Sequence, residues 1–259
     1  MFNEHSSEKK KRGSAYKQRF YRNLTYGKGL PSFRVVSMET DLFIHADKNL
    51  YAEALDLILK YRGHIEQCIK DFPGFASSMI PYLVNRPVPA IVMDMVNAGS
   101  LCHVGPMAAV AGAVAQKVGE GLLAFSGQVI VENGGDLFLK THQPLVVGIY
   151  AGESPLSMKF GISIDSSDGP VSVCTSSGTI GHSFSRGVAD AVCVISNSGA
   201  VADAAATSVG NLVVAVDRIK DALEFGKSIA GITGIIIIAN TKIGAWGDVV
   251  LTRLKGKKG

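Results

Sequence analysis

The segment VADAAATSVGN, residues 201–211, carries one acidic residue, Asp203, and a hydroxyl residue four positions later, Thr207. Residues four apart lie one above the other on an α-helix, so a helix here presents both oxygens on the same side. The alanines between them leave space above the backbone. A carboxylate and a hydroxyl beside empty space suit Mg²⁺, which takes few protein ligands and keeps several waters. The alternative is helix entry, in which Asp203 caps backbone amides and the alanines favour helix formation.

The segment VENGGDLFL, residues 131–139, could bring a ligand close to the backbone. Gly134 and Gly135 can adopt backbone angles barred to other residues, and Asn133 and Asp136 supply polar groups beside them. Asn-Gly and Gly-Gly are also the favoured dipeptides of a tight hairpin, which needs no ligand. The pattern therefore leaves both a ligand site and a plain turn open.

Two further segments combine glycines with polar groups. NAGSLCHVGPMAA, residues 97–109, sets Gly105 just before a helix N-terminus, where free amides favour a phosphate. Its spacing is neither that of GxGxxG nor that of the P-loop motif, so the phosphate interpretation stays open. CTSSGTIGHSFSRG, residues 174–187, places hydroxyls, glycines and His182 after a strand, although a lone histidine is more often structural than catalytic.

The periodicity of apolar residues predicts the elements that must hold these segments. Residues 122–177 are predicted to be mainly β, and residues 84–100 a proline-punctuated loop before a short apolar strand. Residues 232–254 are predicted to form two strands across a loop that carries Trp246. Helices are predicted near residues 50–70, 106–120 and 201–230, with two helices in the last range.

Length and composition are typical of a globular chain. The 259 residues are 47% hydrophobic and 19% charged, enough to bury a large core. Because there is no internal repeat or obvious linker, we expect a single α+β domain with a mainly antiparallel β middle flanked by helices. Its expected bounds are residues 34–254, between a basic N-terminal extension, residues 1–33, and a basic tail, residues 255–259.

Charge and apolar runs argue against several functional classes. The net charge of +4 comes largely from the two ends, and without an aromatic-interleaved basic patch we assign no nucleic-acid role. The N-terminal segment lacks the apolar core of a secretory signal, and runs such as GIIIIA are far below bilayer length. We therefore expect a cytoplasmic protein without membrane contact. The four cysteines are scattered and form no CxxC pair, which argues against a zinc site and a disulfide framework.

Five segments stand in an order that resembles the ApbE-like superfamily over residues 34–254. SMETDLFI resembles the opening MGT strand of that family, and AGSLCHVGPMAAVAGAV resembles the block in which a Lys-Gly pair opens a helix. VENGGDLFL resembles its GGD turn, CTSSGTIGH its threonine-serine-glycine segment, and VADAAATSVGN its metal motif, which is the most specific. Characterised members of the superfamily are Mg²⁺-dependent FAD:protein FMN transferases with a T-fold-related domain.

The resemblance implies ligands and roles for individual residues. Asp203 and Thr207 would bind Mg²⁺, with a backbone carbonyl near GSLCHVGP completing the site, and Asp203 and His182 would be catalytic. FAD would be the flavin nucleotide ligand or substrate, and a protein hydroxyl would be the acceptor. The residues that would face the flavin nucleotide are Gly105, Asn133, Gly134, Gly135, Asp136, Ser177 and Gly178.

The chain departs from the family pattern at positions that matter for binding. Val104 stands in place of the lysine, which removes a positive charge where a pyrophosphate would lie. Glu39 replaces the MGT glycine and adds a negative charge, Thr179 and Ile180 stand where an aromatic residue is usual, and the DP after the histidine is missing. These departures predict weaker flavin binding and slow or no FMN transfer. They resemble a little-characterised cytoplasmic branch in prokaryotes with a suggested link to sulfide assimilation.

Three functions from different classes are therefore open. The first is flavin phosphate chemistry, in which a metal at Asp203 and Thr207 polarises the FAD pyrophosphate for attack by a hydroxyl or water. The second keeps the pocket without the transfer, as a nucleotide binder or as a sulfur-assimilation accessory with a thiolate at Cys102 or Cys174. In that accessory Cys102 would be exposed and unusually acidic, since it precedes a helix N-terminus. The third is structural, with the motifs kept only for folding.

Overall fold

Two antiparallel sheets organise the described part of the chain. The computed structural model describes residues 29–178 and 187–254. The larger sheet has eight strands in the order β1-β2-β3-β4-β7-β8-β9-β10, and the smaller has three in the order β11-β6-β5. The strands are β1 (Ser32–Ser37), β2 (Thr40–Ala46), β3 (Val129–Asn133), β4 (Asp136–Lys140), β5 (Leu145–Gly148), β6 (Phe160–Ile164), β7 (Val171–Ser176), β8 (Ala191–Ser196), β9 (Ile232–Ala239), β10 (Lys242–Gly247) and β11 (Val250–Arg253).

Five α-helices are described, and they pack on one face of the larger sheet. They are α1 (Tyr51–Asp71), α2 (Ala90–Leu101), α3 (Val110–Leu122), α4 (Gly199–Leu212) and α5 (Ile219–Ser228). A short 3-10 turn, Pro106–Ala109, leads directly into α3. Helix α4 lies against β7 and β8 and also contacts α2 and α3, so it is the central helix of this layer.

The larger sheet is covered on both faces, which explains its continuous apolar strands. In β9, Ile235 and Ile237 belong to the core under the helices, whereas Ile236 and Ile238 belong to a second core. That second core is completed by residues of the smaller sheet, such as Ile162 of β6. Successive side chains of a strand point to opposite faces, so a strand buried on both faces needs apolar residues at every position.

The α+β class with a mainly antiparallel sheet flanked by helices is confirmed, as are the helices predicted near residues 50–70, 106–120 and 201–230. The strand predicted within residues 84–100 is wrong, because Ala90–Leu101 forms α2. Its isoleucine and valine residues favour strands, but Ile91, Met95 and their neighbours bury one face of a helix instead.

The loop predicted to carry Trp246 is also wrong. Trp246 lies in β10, paired with Ile235 of β9, and the turn between those strands is at Asn240, which has a positive φ of 56°. A third strand, β11, follows and joins the smaller sheet by pairing with β6. The C-terminal segment is therefore shared between both sheets rather than forming one isolated hairpin.

Candidate metal and nucleotide site

Helices α3 and α4 touch at two glycines, and this contact sets the position of Asp203. A Cβ atom on Gly112 of α3 would collide with the carbonyl oxygen of Gly199 of α4, and a Cβ on Gly199 would collide with the carbonyl of Gly112. Both glycines are buried and neither has a positive φ. Their role is therefore close approach of two helix backbones rather than an unusual backbone conformation.

Asp203 lies one turn into α4 and reaches across this contact to the start of α3. The backbone N–H of Gly112 donates to Asp203 Oδ2 at 2.9 Å. Gly112 is the third residue of α3, and the first amides of a helix have no partner within it. Asp203 therefore caps the N-terminus of α3, a neighbouring helix, rather than that of its own helix.

The environment of Asp203 opposes a lone negative charge. Burial raises the pKa of Asp203 well above its usual value, and the nearby carboxylate of Asp136 raises it further. Hydrogen bonds from the amides of Gly112 and Ala111 lower the pKa and offset part of that effect. A divalent cation would compensate the same charge, so the carboxylate fits the requirement of a metal ligand.

Thr207, four residues after Asp203, offers the second oxygen. Its side chain is half-buried, and it makes no hydrogen bond with the part of the chain that the structure describes. Residues 29–178 and 187–254 contain no group of three or more His, Cys, Asp or Glu side chains that could hold a metal. A cation at Asp203 and Thr207 would thus complete its shell with carbonyl oxygens and water, which suits Mg²⁺. Both residues fit the metal that the resemblance implies.

The Gly134-Gly135 pair forms the turn between β3 and β4. Asn133 pairs with Asp136, and Gly134 and Gly135 have φ angles of +69° and +116°. The Gly135 amide donates to a carboxylate oxygen of Glu132 at 3.1 Å. Turn geometry alone explains both glycines, yet a Cβ on either would meet nothing within 4 Å. A ligand can therefore approach this turn, and its binding there stays a prediction.

The residues on either side of this turn connect it to Asp203. The Asn133 side chain donates to the carbonyl of Ala111 at 3.0 Å, next to the Gly112 amide that Asp203 accepts. Asp136 is buried and accepts the Thr175 amide at 3.0 Å. The structure thus brings the predicted residues Asn133 and Asp203 together at the N-terminus of α3. Asp136 is close enough for its charge to raise the pKa of Asp203.

Asp136 has an unusual protonation equilibrium. Burial raises its pKa to about 7, and the negative charge of Glu132 adds to that effect. The Thr175 amide and the Cys174 thiol lower the pKa by hydrogen bonding. A carboxyl group that titrates near neutrality beside a candidate site is a feature often seen where function depends on charge.

Gly105 packs closely against the backbone of another segment of the protein. It is buried, and a Cβ there would collide with the carbonyl oxygen of Ser78 in the segment between α1 and α2. The neighbouring Val104, at the position of the family lysine, is only 5% exposed and belongs to the core under the helices. Residue 104 itself therefore supplies no cation for a phosphate.

The remaining predicted residues lie at the end of β7. Ser177 is half-buried, and Gly178 is exposed, with its amide donating to the Ala189 carbonyl at 3.0 Å. His182 lies outside the described residues, as do Thr179 and Ile180.

Glu39 is not a free negative charge. It lies at the tip of the β1–β2 hairpin, where its carboxylate pairs with Arg62 of α1 at 2.7 Å. Its own backbone amide and the guanidinium of Arg62 lower its pKa. The expected repulsion of a phosphate by Glu39 is thereby weakened, because a cation lies beside it.

The predicted exposed and acidic Cys102 is wrong. All four cysteines are buried, and burial followed by the charge of Asp203 raises the pKa of Cys102 to about 12. Cys102 ends α2 rather than opening a helix, and its carbonyl accepts the Ser208 hydroxyl of α4 at 2.6 Å. Burial also raises the pKa of Cys174, whose thiol points at the Gly199 carbonyl at 3.6 Å. Neither cysteine supplies the thiolate that a sulfur-handling role requires.

One residue of this arrangement escaped the sequence analysis. Gln116 of α3 accepts the amide of Gly199, the first residue of α4, at 2.7 Å. The signal in the sequence is a repeated spacing, since Gly112 precedes Gln116 and Gly199 precedes Asp203 by four residues each. Each helix therefore presents a glycine and a polar acceptor on one face.

Two cavities in the described residues lie away from the candidate site. One, of about 340 Å³, is lined by Glu153, Ser154, Pro155, Val188, Asp190, Val216 and Asn240. The other, of about 130 Å³, lies between α1 and the segment that precedes α2. Neither of these two cavities, which are not the full set, is lined by a predicted site residue, so the candidate site rests on its polar contacts. In the described ranges, no single helix is long and apolar enough to cross a membrane.

Comparison with known proteins agrees with the fold and the motif order. A family model described as AbpE bacteria matches residues 22–245. A UPF0280 protein of Methanococcus aeolicus is 40% identical over 222 residues, which cover 83% of this chain and 90% of the relative. A UPF0280 protein of Methanocaldococcus jannaschii is 38% identical over 222 residues, with the same coverage of both chains.

Solved structures share the fold at low sequence identity. The apo form of the flavinyl transferase ApbE from Pseudomonas stutzeri matches with a TM-score of 0.55 and 15% identity over 84% of this chain and 94% of that one. An ApbE protein from Thermotoga maritima matches with a TM-score of 0.50 and 15% identity, over 83% and 96% of the two chains. The class defined by fold and motifs is thus that of the ApbE-like proteins. Within it, the chain belongs to the bacterial AbpE family and is similar to the archaeal UPF0280 proteins.

Proposed function

We propose that the protein binds a flavin nucleotide together with Mg²⁺ and transfers FMN from FAD to a hydroxyl group of a protein acceptor. The acceptor oxygen loses its proton and forms a bond to the FMN phosphorus, the pyrophosphate bond breaks, and AMP leaves. The observation that carries the proposal is the pairing of Asp203, whose carboxylate is held by the Gly112 amide, with Thr207, whose hydroxyl has no partner in the described residues. A ligand carboxylate held by a hydrogen bond is typical of metal sites, because the bond fixes its orientation.

Different residues of the chain would bind the metal and the nucleotide. Asp203 and Thr207 would hold Mg²⁺, which when bound neutralises the charge of a pyrophosphate and activates it for attack. The open turn at Gly134 and Gly135 offers a surface for the nucleotide beside the start of α3. By resemblance to the family, the nucleotide would also face Gly105, Ser177 and Gly178, and His182 would be catalytic.

Paired variants at one position separate the metal role of Asp203 from its role in the fold. Asp203→Asn keeps an oxygen that accepts the Gly112 amide but loses the charge, whereas Asp203→Ala loses both. We expect both variants to lose Mg²⁺ binding in calorimetry, and only Asp203→Ala to lose about 1–3 kcal/mol of stability as well. Thr207→Val, with nearly the same volume, should weaken Mg²⁺ binding with little effect on the fold. If wild type binds no Mg²⁺ even with FAD present, the metal role is wrong.

A second candidate, flavin binding without transfer, is favoured by the buried Val104. A charge-assisted hydrogen bond to phosphate contributes about 1.5–3 kcal/mol, so a valine in place of lysine costs about tenfold to a hundredfold in affinity. An FAD-cleavage assay with Mg²⁺ and a threonine-bearing acceptor decides between the candidates. FMN transfer supports the first, whereas FAD fluorescence quenching without transfer supports the second.

A lysine at position 104 sharpens this test. Because Val104 is buried, Val104→Lys must direct its ammonium group out of the core, and its folding has to be checked by thermal melting. A folded Val104→Lys variant that gains FMN transfer would show that the missing charge limits the wild-type site.

A further inference from the structure

We propose that Gln116 is a positioning residue for the metal site: by capping the first amide of α4, it fixes the turn of α4 that carries Asp203. The inference rests on the proposed metal role of Asp203. It assigns to α3 a second contribution to the site, in addition to the Gly112 amide.

Helices α3 and α4 cap each other through two side chains. The Gly112 amide of α3 is accepted by Asp203 of α4, and the Gly199 amide of α4 is accepted by Gln116 of α3. The two acceptors each lie four residues after a glycine, and the two glycines are in backbone contact. Each helix thus caps the other, and the two hydrogen bonds lie on either side of one contact.

The orientation of Gln116 is fixed within its own helix. Its amide nitrogen donates to Glu120, one turn later, at 2.7 Å. A side-chain amide has one acceptor oxygen and one donor nitrogen, so engaging the nitrogen turns the oxygen toward Gly199. The Cβ of Gln116 is also close to Gly199, at 3.1 Å from where a Cβ would stand on that glycine. Gln116 therefore holds the first residue of α4 by contact and by hydrogen bond.

The first turn of α4 is where Asp203 gains its position. Gly199 and Asp203 are separated by one turn of helix, with the Ser198 side chain capping the Val201 amide between them. Without Gln116, the buried Gly199 amide would lose its acceptor, and an unsatisfied buried amide is destabilising. The turn can recover a partner only by shifting, and such a shift moves Asp203 away from Gly112. Metal affinity should therefore depend on Gln116 although its side chain is not a ligand.

The matched control is Gln67 of α1. Its side-chain amide donates to Asp71 four residues later at 2.9 Å, as that of Gln116 does to Glu120, but it caps no other helix. Gln67→Leu and Gln116→Leu therefore each remove a hydrogen bond between side chains four residues apart in one helix. Only Gln116→Leu also removes a contact with α4. The double variant Gln116→Glu/Glu120→Gln restores an acceptor oxygen at the same side-chain length. It also keeps a hydrogen bond between the two side chains, because the donor and the acceptor are exchanged.

The experiment measures Mn²⁺ affinity by calorimetry and hydrogen exchange at the Gly112 amide in these variants of the full chain. We expect Gln116→Leu to weaken Mn²⁺ binding by about 10- to 100-fold, in the range seen for residues that orient metal ligands. It should also speed exchange at Gly112, which is protected by Asp203. The double variant Gln116→Glu/Glu120→Gln should restore slow exchange, and Gln67→Leu should change neither readout.

A loss of stability in Gln116→Leu with unchanged Mn²⁺ affinity and unchanged Gly112 exchange would overturn the inference. Gln116→Asn, which shortens the side chain by one methylene, replaces Gln116→Leu if that variant does not fold. Wild-type protein that binds no Mn²⁺ would contradict the proposed function. Even then, exchange at Gly112 in the same variants still decides whether Gln116 positions Asp203.

Discussion

The molecule uses glycine pairs in two places, and each pair places an aspartate by a different physical means. Gly134 and Gly135 are in an open hairpin turn with positive φ angles, and they lead into Asp136. Gly112 and Gly199 lie on two helices with ordinary φ angles, and they bring α3 against the helix that carries Asp203. The first pair provides conformational freedom and the second provides close approach. Glycine pairs therefore need to be judged by what surrounds them.

Asp136 and Asp203 lie close to each other and are held in similar ways. The charge of Asp136 raises the pKa of Asp203, and both side chains are held by backbone amides of elements other than their own. The turn positions one carboxylate of this pair and the helix contact positions the other. Substitutions that affect one glycine pair and not the other test whether the two devices act separately.

Among the glycine substitutions, the largest loss of stability is expected at the helix contact. Gly112→Ala or Gly199→Ala places a methyl group against a backbone carbonyl that cannot rotate away, so we expect a loss of about 3 kcal/mol, the upper end of the usual cost of overpacking. Urea unfolding measures the loss, and Mn²⁺ binding should fall with it. The control is Gly63→Ala in α1, where a Cβ meets nothing within 4 Å and where alanine should stabilise by about 0.5–1 kcal/mol. Equal effects at Gly63 and Gly112 would contradict the contact argument.

The carboxyl group after the turn should make stability fall as the pH rises. Burial raises the pKa of Asp136 from 3.8 to about 7, so between these values the folded protein binds more protons than the unfolded chain. Its contribution is therefore complete below pH 3.8 and lost as the pH passes 7, with a slope of up to about 1.4 kcal/mol per pH unit. Urea unfolding from pH 4 to 8 measures the slope.

A matched pair of asparagine variants assigns that slope. Asp136→Asn should flatten it while keeping an acceptor for the Thr175 amide. Asp165→Asn removes an exposed carboxyl whose pKa is lowered, chiefly by hydrogen bonds from Ser167, so it should not reduce the fall of stability with pH. A slope that persists in Asp136→Asn would assign it to another group, with Asp203 the next to test.

A smaller effect is expected within the turn. Gly135 has a φ of +116°, which residues with a Cβ rarely adopt, so Gly135→Ala should cost about 1–2 kcal/mol although space is open around it. Thermal melting measures the loss. Mn²⁺ binding should stay close to that of wild type, and a strong decrease would mean that the turn and the helix contact are coupled.

The smallest effect is expected at the first glycine of the turn. Gly134 has a φ of +69°, within the left-handed region that asparagine tolerates, so Gly134→Asn should cost less than about 1 kcal/mol. If flavin approaches this turn, Gly134→Asn should still weaken FAD binding in a fluorescence titration. Unchanged affinity for FAD would place the nucleotide elsewhere.

The fold class could be predicted from the sequence because it follows from local apolar periodicity, whereas the set of candidate site residues followed from the order of the motifs and their resemblance to a family. Apolar periodicity predicted α1, α3 and α4. The motif order, by its resemblance to the ApbE-like superfamily, indicated Asn133, Asp136 and Asp203 as candidate site residues. The helix at residues 90–101 was missed, since its valines and isoleucine favour strands while its buried surroundings favour a helix. Local propensity and tertiary packing pointed in opposite directions there, and packing prevailed.

The contacts between helices could not be predicted from local patterns. The capping of α3 by Asp203 links residues 91 positions apart, and that of α4 by Gln116 links residues 83 positions apart. Helical periodicity gives the face on which a side chain lies but not the neighbour that it meets. The burial of Cys102 and Val104 has the same origin, because both are covered by elements distant in sequence. Sequence alone therefore located the candidate ligands but not the residues that hold them.

The burial of all four thiols makes them probes of motion. A thiol reagent reaches a buried cysteine only when the surrounding structure opens, and the free energy of that opening differs between segments of a protein. Cys102 and Cys174 contact the backbone of α4, whereas Cys68 lies on α1 and Cys193 on β8. The rates at which the four react report separately on the detachment of α4, the fraying of α1 and the opening of the sheet. The four native thiols can thus be used to measure local unfolding without any introduced label.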